Sequence, residues 1–221
     1  MGGVSSGAYA SLNLGAHVGD LPVSVAANRA KLQLSLGTAR PRWLSQVHGT
    51  QVAVLDGMPV REPADAALTA TKGEACVVMT ADCLPVIFCD RHGTRVAVAH
   101  AGWRGLSAGV LEATVQAMEI PSSNLMAWFG PAIGPEAYEV GEEVRAAFVK
   151  HSSNASAAFK PGKTAGKWWC DLYLLARQRL EAAGLKSIHG VGFCTYTERD
   201  RFFSFRRDGE CGRMATLVWL E

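Results

Sequence analysis

The alternation of apolar and polar positions predicts a chain built from short strands and helices. Six runs rich in valine, isoleucine, leucine and phenylalanine are bounded by glycine, aspartate or proline, a pattern typical of β-strands. The predicted strands are residues 75–79, 84–89, 94–99, 125–129, 187–194 and 214–220. Several are apolar at nearly every position, so we expect them in sheets that are covered on both faces.

Two stretches, 106–118 and 172–183, repeat apolar residues at helical spacing. Asp171 is the predicted N-cap of the second helix, and Gly184 is its predicted stop. A third helix is expected from about residue 142 to 150. Because helices alternate with neighbouring strands and with apparent hairpins, the sequence predicts an α/β (α+β) fold with mixed sheets and not a doubly wound parallel sheet.

Composition places the chain among globular proteins with a sizeable core. It has 221 residues, of which 48% are hydrophobic and 19% are charged. No linker divides it, so residues 1–221 are expected to form one domain, and the polar segment 152–158 is expected to be a surface loop. A formal charge of +2 argues against a broad basic surface for nucleic acid.

The expected cellular compartment is inferred from the lack of targeting and membrane-spanning patterns in the sequence. It begins without a secretory signal and has no apolar run of about 18 residues, so we expect neither export nor a membrane-spanning helix. Six cysteines without an export signal are then expected to be reduced thiols in the cytoplasm.

Reactive side chains lie beside glycine or turn residues in three segments, 46–50, 80–85 and 99–105. In the third segment, an apolar strand ends at His100 and a helix begins shortly after Arg104. The first amide groups of a helix are free donors, and together with these two side chains they favour a bound anion. The sequence therefore predicts a phosphate or carboxylate site here.

Two histidines and a cysteine are a known ligand set for a catalytic zinc ion that keeps an open position. His48, Cys83 and His100 supply that set, although their spacing is too long for a local metal motif. A histidine at a strand end can equally be a structural hydrogen-bonding group, and a cysteine among apolar residues can simply pack in a core. The residues alone leave both interpretations open.

Several blocks together resemble one protein family. They are QVHGTQV at 46–52, TADCLPV at 80–86, AHAGWRG at 99–105, GPAIGPEAYEVG at 130–141 and CTYTERDRFFSFRRDG at 194–209, with SLNLG at 11–15 and NR at 28–29. In this order they resemble the YfiH family, also called the laccase-domain or multicopper polyphenol oxidase family. The resemblance implies a single-domain sandwich of mixed β-sheets flanked by helices, similar to proteins classed as cysteine hydrolases. Family members usually have a further strand that leads into an arginine before Gly2. Either the start of this sequence is shortened or that strand is absent, so the sequence does not establish an outer strand or one anion-binding arginine.

The resemblance also implies the site residues. The metal would be zinc, with copper as the alternative, held by His48, Cys83 and His100, which are also the implied catalytic residues. Asp82 would be catalytic too, as the hydrogen-bonding partner of a ligating imidazole or as a proton shuttle. The implied substrate or phosphate contacts are Arg104, Gln46 and Arg206, although an exposed arginine is also common on an ordinary solvated surface.

The implied activity is phosphorolysis of adenosine, inosine and methylthioadenosine, with adenosine deamination at the same site. The expected partners are purine nucleosides and phosphate, with no nucleic acid and no membrane, and a monomer is the default expectation. One alternative is a copper polyphenol oxidase, although six histidines are few for a multinuclear copper cluster. Others are a hydrolase that edits peptidoglycan precursors, with Cys83 as nucleophile and His100 as base, and a zinc-stabilised interaction domain without activity.

Overall fold

Short strands and helices alternate along the chain, as expected from its apolar runs. The computed structural model describes residues 2–55, 57, 60, 62–190 and 192–221. The helices are α1 (Pro22–Leu36), α2 (Trp103–Ala108), α3 (Val110–Ala117), α4 (Glu142–His151), α5 (Leu172–Ala182) and α6 (Phe205–Asp208). The strands are β1 (Arg40–Arg42), β2 (Val52–Leu55), β3 (Ala66–Thr69), β4 (Glu74–Thr80), β5 (Leu84–Asp90), β6 (Val96–Ala101), β7 (Leu125–Phe129), β8 (Glu139–Gly141), β9 (Phe159–Pro161), β10 (Lys167–Cys170), β11 (Ser187–His189) and β12 (Met214–Val218).

The strands form three sheets, and two of them mix parallel and antiparallel pairs. The largest has the order β11-β7-β5-β6-β3-β2, with parallel pairs at its two edges and antiparallel pairs between them. The second has the order β1-β4-β12, and the third is an antiparallel sheet of β8, β10 and β9. The predicted α/β architecture of mixed sheets flanked by helices is confirmed.

Strand β6 lies between two hydrophobic cores, and its successive side chains point alternately into one core and the other. Ala97, Ala99 and Ala101 belong to the core between the six-stranded sheet and the helices, whereas Val98 packs in the core shared with β4 and β12. Successive side chains of a strand point to opposite faces, so His100 shares the face of Val98. This alternation directs the imidazole away from the helices and toward the second sheet.

The strand predicted at 187–194 ends early, at His189. Gly190 and Gly192 have φ angles of 77° and 100°, which are outside the extended region that a strand requires. Position 191 lies outside the described residues. An apolar run therefore continues past the point where the backbone leaves the sheet.

The helix predicted at 106–118 begins earlier, at Trp103, and is interrupted in the middle. Gly109 adopts a left-handed conformation with φ 104°, which ends α2 and starts α3. The predicted loop at 152–158 is also wrong in part, because Ser153–Ala158 forms 3-10 turns. Its residues Ala155 and Ala158 are buried, so this segment packs onto the core.

Helix α1 was not predicted because its inward face is not uniformly apolar. Asn28, in the middle of the helix, is fully buried and donates from Nδ2 to Ser5 Oγ at 2.8 Å and to the Asn13 carbonyl oxygen at 2.9 Å. Its Oδ1 accepts from the Val4 amide at 2.8 Å. The Asn–Arg pair at 28–29 therefore fixes the N-terminal loop.

Even α1, at 15 residues, is too short to cross a membrane, and no other described helix has the required length and apolar composition.

Candidate metal centre

Side chains from three distant parts of the sequence converge at one end of the six-stranded sheet. The ligand atoms of His48, Cys83 and His100 all lie within 4.8 Å of one another. Pro85 pairs with His100 across β5 and β6, so Cys83, two positions before Pro85, lies on the same face as the imidazole. His48 reaches this face from the loop before β2. The grouping that the family resemblance implies is therefore present.

The spacing of these atoms suits a metal ion. A tetrahedral zinc ion with ordinary Zn–S and Zn–N bond lengths holds its sulfur and nitrogen ligands about 3.6 Å apart. Cys83 Sγ and His48 Nε2 are 3.8 Å apart. His100 is buried, Cys83 is half-buried and His48 is exposed, so the group opens toward solvent on one side. These donors fit a three-ligand site with a position for water or substrate, and imidazole with thiolate suits zinc and copper alike.

A buried carboxylate connects both histidines. Asp65 Oδ1 accepts from His100 Nδ1 at 2.8 Å and from the His48 amide at 2.9 Å, while Oδ2 accepts from the Val47 and Gly49 amides at 3.1 and 2.7 Å. Burial by itself would raise the pKa of Asp65, but His100 and the backbone amides lower it below its usual range. The group is therefore a carboxylate at neutral pH.

Asp65 was not among the predicted site residues. It directly precedes β3, and its carbonyl oxygen accepts from the His100 amide at 2.7 Å, so it lies opposite His100 across the sheet. An aspartate between two alanines at the start of an apolar strand is a signal that could have identified it, because a buried carboxylate requires several donors.

The charges of Cys83 and His100 depend on each other. Burial alone would raise the pKa of Cys83, but His100 and then His48 lower it to about 6. Burial alone would likewise lower the pKa of His100, but Cys83 and Asp65 raise it to about 9. In the metal-free protein at neutral pH, Cys83 is thus a thiolate beside an imidazolium.

The backbone around the ligands is tightly constrained. His48 and Asp82 have φ angles of 60° and 89°, in the left-handed region that residues other than glycine seldom adopt. A Cβ atom on Gly102 would lie 2.8 Å from His48 Cδ2 and 2.9 Å from Cys83 Sγ. Glycine at 102 is therefore required for the two ligands to approach the end of β6.

Asp82 holds a distant segment of the chain against the metal centre. Its Oδ1 accepts from Thr195 Oγ1 and its Oδ2 from the Arg206 amide, both at 2.6 Å, and the residue is only 8% exposed. The hydrogen bond to a ligating imidazole that was expected from Asp82 comes instead from Asp65. Because both of its oxygens have these partners, the geometry favours a structural role for Asp82 over proton transfer.

Two of the predicted anion contacts, Arg104 and Arg206, are exposed cations. Arg206 lies in the segment whose backbone is hydrogen-bonded to Asp82. Its NH1 donates to the Glu139 carbonyl oxygen at 2.7 Å, and its guanidinium group lies over the Tyr138 ring, 5.1 Å from the ring centroid. Arg104, near the start of α2, lies over the Trp103 ring at 4.6 Å. Both guanidinium groups thus rest on an aromatic side chain while exposed to solvent.

Gln46 is engaged elsewhere. Its Nε2 donates to the Met79 carbonyl oxygen at 2.9 Å, and its Oε1 accepts from the Met79 amide at 2.8 Å. The side-chain amide therefore pairs with the end of β4 in the manner of a neighbouring strand. This contact fixes the start of the loop that carries His48, and it leaves the amide turned toward the backbone and not toward a phosphate.

Comparison with known families decides the assignment. Residues 1–221 match the family model described as multi-copper polyphenol oxidoreductase laccase. The chain belongs to this family, the YfiH family. The resemblance inferred from the sequence blocks is therefore confirmed, and the metal centre lies in blocks that carried it.

Curated relatives in the YfiH family have a different kind of name. A purine nucleoside phosphorylase of Pseudomonas aeruginosa is 54% identical over 220 residues, covering 100% of this chain and 90% of the relative. The purine nucleoside phosphorylase YfiH of Escherichia coli K12 is 54% identical over 223 residues, with the same coverage. The family description thus names copper oxidation, whereas these relatives are named for nucleoside chemistry.

Solved structures agree on the fold. A Neisseria meningitidis protein superposes with a TM-score of 0.94 at 51% identity, over 100% of this chain and 91% of its own. A Bacillus licheniformis protein described as hypothetical protein YfiH gives a TM-score of 0.93 at 30% identity, over 100% and 90%. The sandwich of mixed sheets is therefore the YfiH family fold.

Proposed function

We propose that this protein is a purine nucleoside phosphorylase with adenosine deaminase activity, acting on adenosine, inosine and methylthioadenosine at a zinc site. The observation that carries the proposal is the convergence of His48, Cys83 and His100. Two exposed arginines are connected to this group, since Arg104 follows His100 at the start of α2 and the Arg206 amide donates to Asp82, the neighbour of Cys83. Support also comes from relatives that are 54% identical along the whole chain and are named purine nucleoside phosphorylases.

The donor set suits zinc, and the surrounding residues determine from which side water and substrate reach the ligands. Zinc in such a site lowers the pKa of a water ligand toward neutrality and polarises bound oxygen atoms. His100 is only 3% exposed and is fixed from behind by Asp65, so water is excluded from the protein side. His48 is exposed, so the nucleoside enters on its side. Deamination replaces the amino group at purine C6 with an oxygen from water and releases ammonia.

Phosphorolysis needs a bound phosphate beside the ribose of the nucleoside. An oxygen of phosphate forms a bond to ribose C1′ while the bond from C1′ to the base breaks; the electron pair stays with the base, which takes up a proton. Arg104 and Arg206 would hold the phosphate and orient it toward C1′. Asp82 supports this step indirectly, because it fixes the backbone of Arg206.

The test is to incubate metal-analysed protein with adenosine, with and without phosphate, and to separate adenine, inosine and hypoxanthine by chromatography. We expect adenine and ribose 1-phosphate only when phosphate is present, and inosine in either case. His48→Ala should abolish both products, while His92→Ala, which removes an exposed histidine of the β5–β6 turn, should leave them unchanged. Wild-type protein without either product, or full activity in His48→Ala, would refute the proposal.

The family description favours a copper polyphenol oxidase as a second candidate. In the ranges that the structure describes, one group of three ligating side chains is found, whereas a multinuclear copper site draws on many imidazoles. The ligand inventory therefore supports at most a single copper ion. Phenol oxidation that requires added copper, in protein that leaves nucleosides unchanged, would favour this candidate.

The pair of Cys83 and His100, oriented by Asp65, also fits a cysteine hydrolase of peptidoglycan precursors. The thiolate lies beside an imidazole whose other nitrogen bonds a carboxylate, which is the usual arrangement of nucleophile, base and orienting group. Chelation separates the two chemistries, because a nucleophilic thiolate survives metal removal and metal-dependent catalysis does not.

A further inference from the structure

We propose that Asp65 is a positioning residue that prepares both histidine ligands with one carboxylate: it decides which nitrogen of His100 keeps its proton when a metal binds, and it fixes the pose of His48. The inference rests on the metal site proposed above and adds a residue to it. Its basis is a carboxylate with no solvent exposure that accepts four hydrogen bonds at 2.7 to 3.1 Å.

The first step concerns the His100 ring. A neutral imidazole carries its proton on only one nitrogen, and the other nitrogen carries the lone pair that binds a metal. A carboxylate can only accept, so Asp65 Oδ1 at 2.8 Å requires the proton to be on Nδ1. When His100 gives up its other proton to bind a metal, the lone pair therefore lies on Nε2, the nitrogen that does not face Asp65.

The second step concerns the loop at 47–49. Three successive backbone amides of this loop donate to the two oxygens of Asp65. Among them is the amide of His48, whose φ of 60° is unfavourable for a residue with a side chain. Hydrogen bonds to a charged acceptor are stronger than those between neutral groups, so the carboxylate offsets this backbone strain. The same group thereby fixes the two ligands relative to each other.

Replacing the carboxylate with an amide of the same shape breaks this arrangement in either orientation. In Asp65→Asn, one orientation directs the amino group at the donors of Val47 and Gly49, which leaves those two amides unpaired. The flipped orientation directs it at the His48 amide and at His100 Nδ1, which would move the ring proton to Nε2 and remove the ligand lone pair.

Asp90→Asn is the matched control. Asp90 is 3% exposed and also accepts from three backbone amides, those of residues 92, 94 and 95, and from a hydroxyl group. It lies at the opposite end of β5 from Cys83. Loss of a buried carboxylate that accepts several backbone amides is therefore common to both variants, and of the two only Asp65 contacts the candidate ligands His48 and His100.

The experiment titrates metal-free wild type and both variants with zinc against a chromophoric chelator, and records side-chain ¹⁵N NMR spectra of histidine in the zinc-loaded wild type. We expect the zinc affinity of Asp65→Asn to fall about 10- to 100-fold. That of Asp90→Asn should stay within about twofold of wild type, because the site is distant. In the wild type, His100 should be protonated at Nδ1 and bound to zinc through Nε2.

Each outcome is decisive. Equal zinc affinity in Asp65→Asn and Asp90→Asn would overturn the positioning role and leave the metal site intact. A wild-type His100 that binds zinc through Nδ1 would overturn it as well, and that result is available even if Asp65→Asn does not fold. Wild-type protein that takes up no zinc would instead refute the metal site proposed above, and the positioning role with it.

Discussion

The substitution Gly102→Ala is expected to disable the metal centre by adding one methyl group. Gly102 has φ −67° and ψ 159°, which alanine adopts without strain, so the cost is steric and not conformational. The added carbon would lie 2.8 Å from His48 Cδ2 and 2.9 Å from Cys83 Sγ, whereas unstrained contacts between carbon atoms are about 3.5 to 4.0 Å. The His48 ring must therefore move away from the backbone by about 0.7 to 1.2 Å.

A displacement of this size is large for coordination chemistry. Metal–ligand distances tolerate about 0.2 Å, and a shift of about 1 Å in a reacting group costs about 100-fold in rate. His48 should move first, because its side chain is exposed whereas Cys83 is half-buried. We expect kcat/KM for adenosine to fall about 100-fold, with a loss of folding free energy of about 1 to 3 kcal/mol from overpacking.

The assays are steady-state kinetics, zinc competition titration and urea unfolding of the metal-free protein. Gly49→Ala is the matched control, because the added Cβ would be 3.5 Å from Asp65 Oδ2 and 3.6 Å from Val47 Cγ2, both ordinary contacts. Wild-type zinc affinity and turnover in Gly102→Ala would refute the steric reasoning. An equal loss of zinc affinity and turnover in Gly49→Ala would show that any substitution near His48 impairs the site, and that the steric contact at Gly102 is not the cause.

Three further outcomes follow from buried hydrogen bonds. Thr195→Val removes the hydroxyl donor from the buried carboxylate of Asp82 and should cost about 1 to 3 kcal/mol in urea unfolding, whereas no loss would mean that water replaces the donor. Tyr173→Phe removes the oxygen that accepts from the Ala132 amide at 2.8 Å, and should cost about 1 to 3 kcal/mol in the same assay; a neutral result would contradict the role of the hydroxyl in holding the 130–134 loop. Burial alone would raise the pKa of Asp90, but backbone amides and a hydroxyl lower it below 3.8, so its contribution is present at neutral pH and lost as the pH falls through the lowered pKa. Asp90→Asn should therefore unfold with a shallower pH dependence below about pH 4 than wild type, and parallel acid-unfolding curves would contradict this.

Patterns along the chain predicted six of the twelve described strands and the segments that form α2 to α5. Fully buried strands such as β4 and β6 are apolar at consecutive positions, and β7 has the predicted bounds. The cap of α5 was also readable, because Asp171 accepts from the Leu174 amide as an N-cap residue should. The described elements that were not predicted are strands β1–β3 and β8–β10, which have three or four residues each, and helices α1 and α6. Helix α1 is centred on a buried asparagine, and glycines interrupt the predicted helix at Gly109 and end the predicted strand after His189.

For the candidate site too, some residues were identified from the sequence and others only from the tertiary structure. Residue types alone made His48, Cys83 and His100 only candidate ligands, because a histidine or cysteine can equally be structural, and the family resemblance was needed to favour the metal-site interpretation. The carboxylate that supports them was assigned to Asp82, which adjoins Cys83 in sequence, but it is Asp65, which adjoins His100 in space. Strand pairing joins residues far apart along the chain, and its register depends on packing of the whole sheet, so only the tertiary structure could decide which aspartate meets the imidazole.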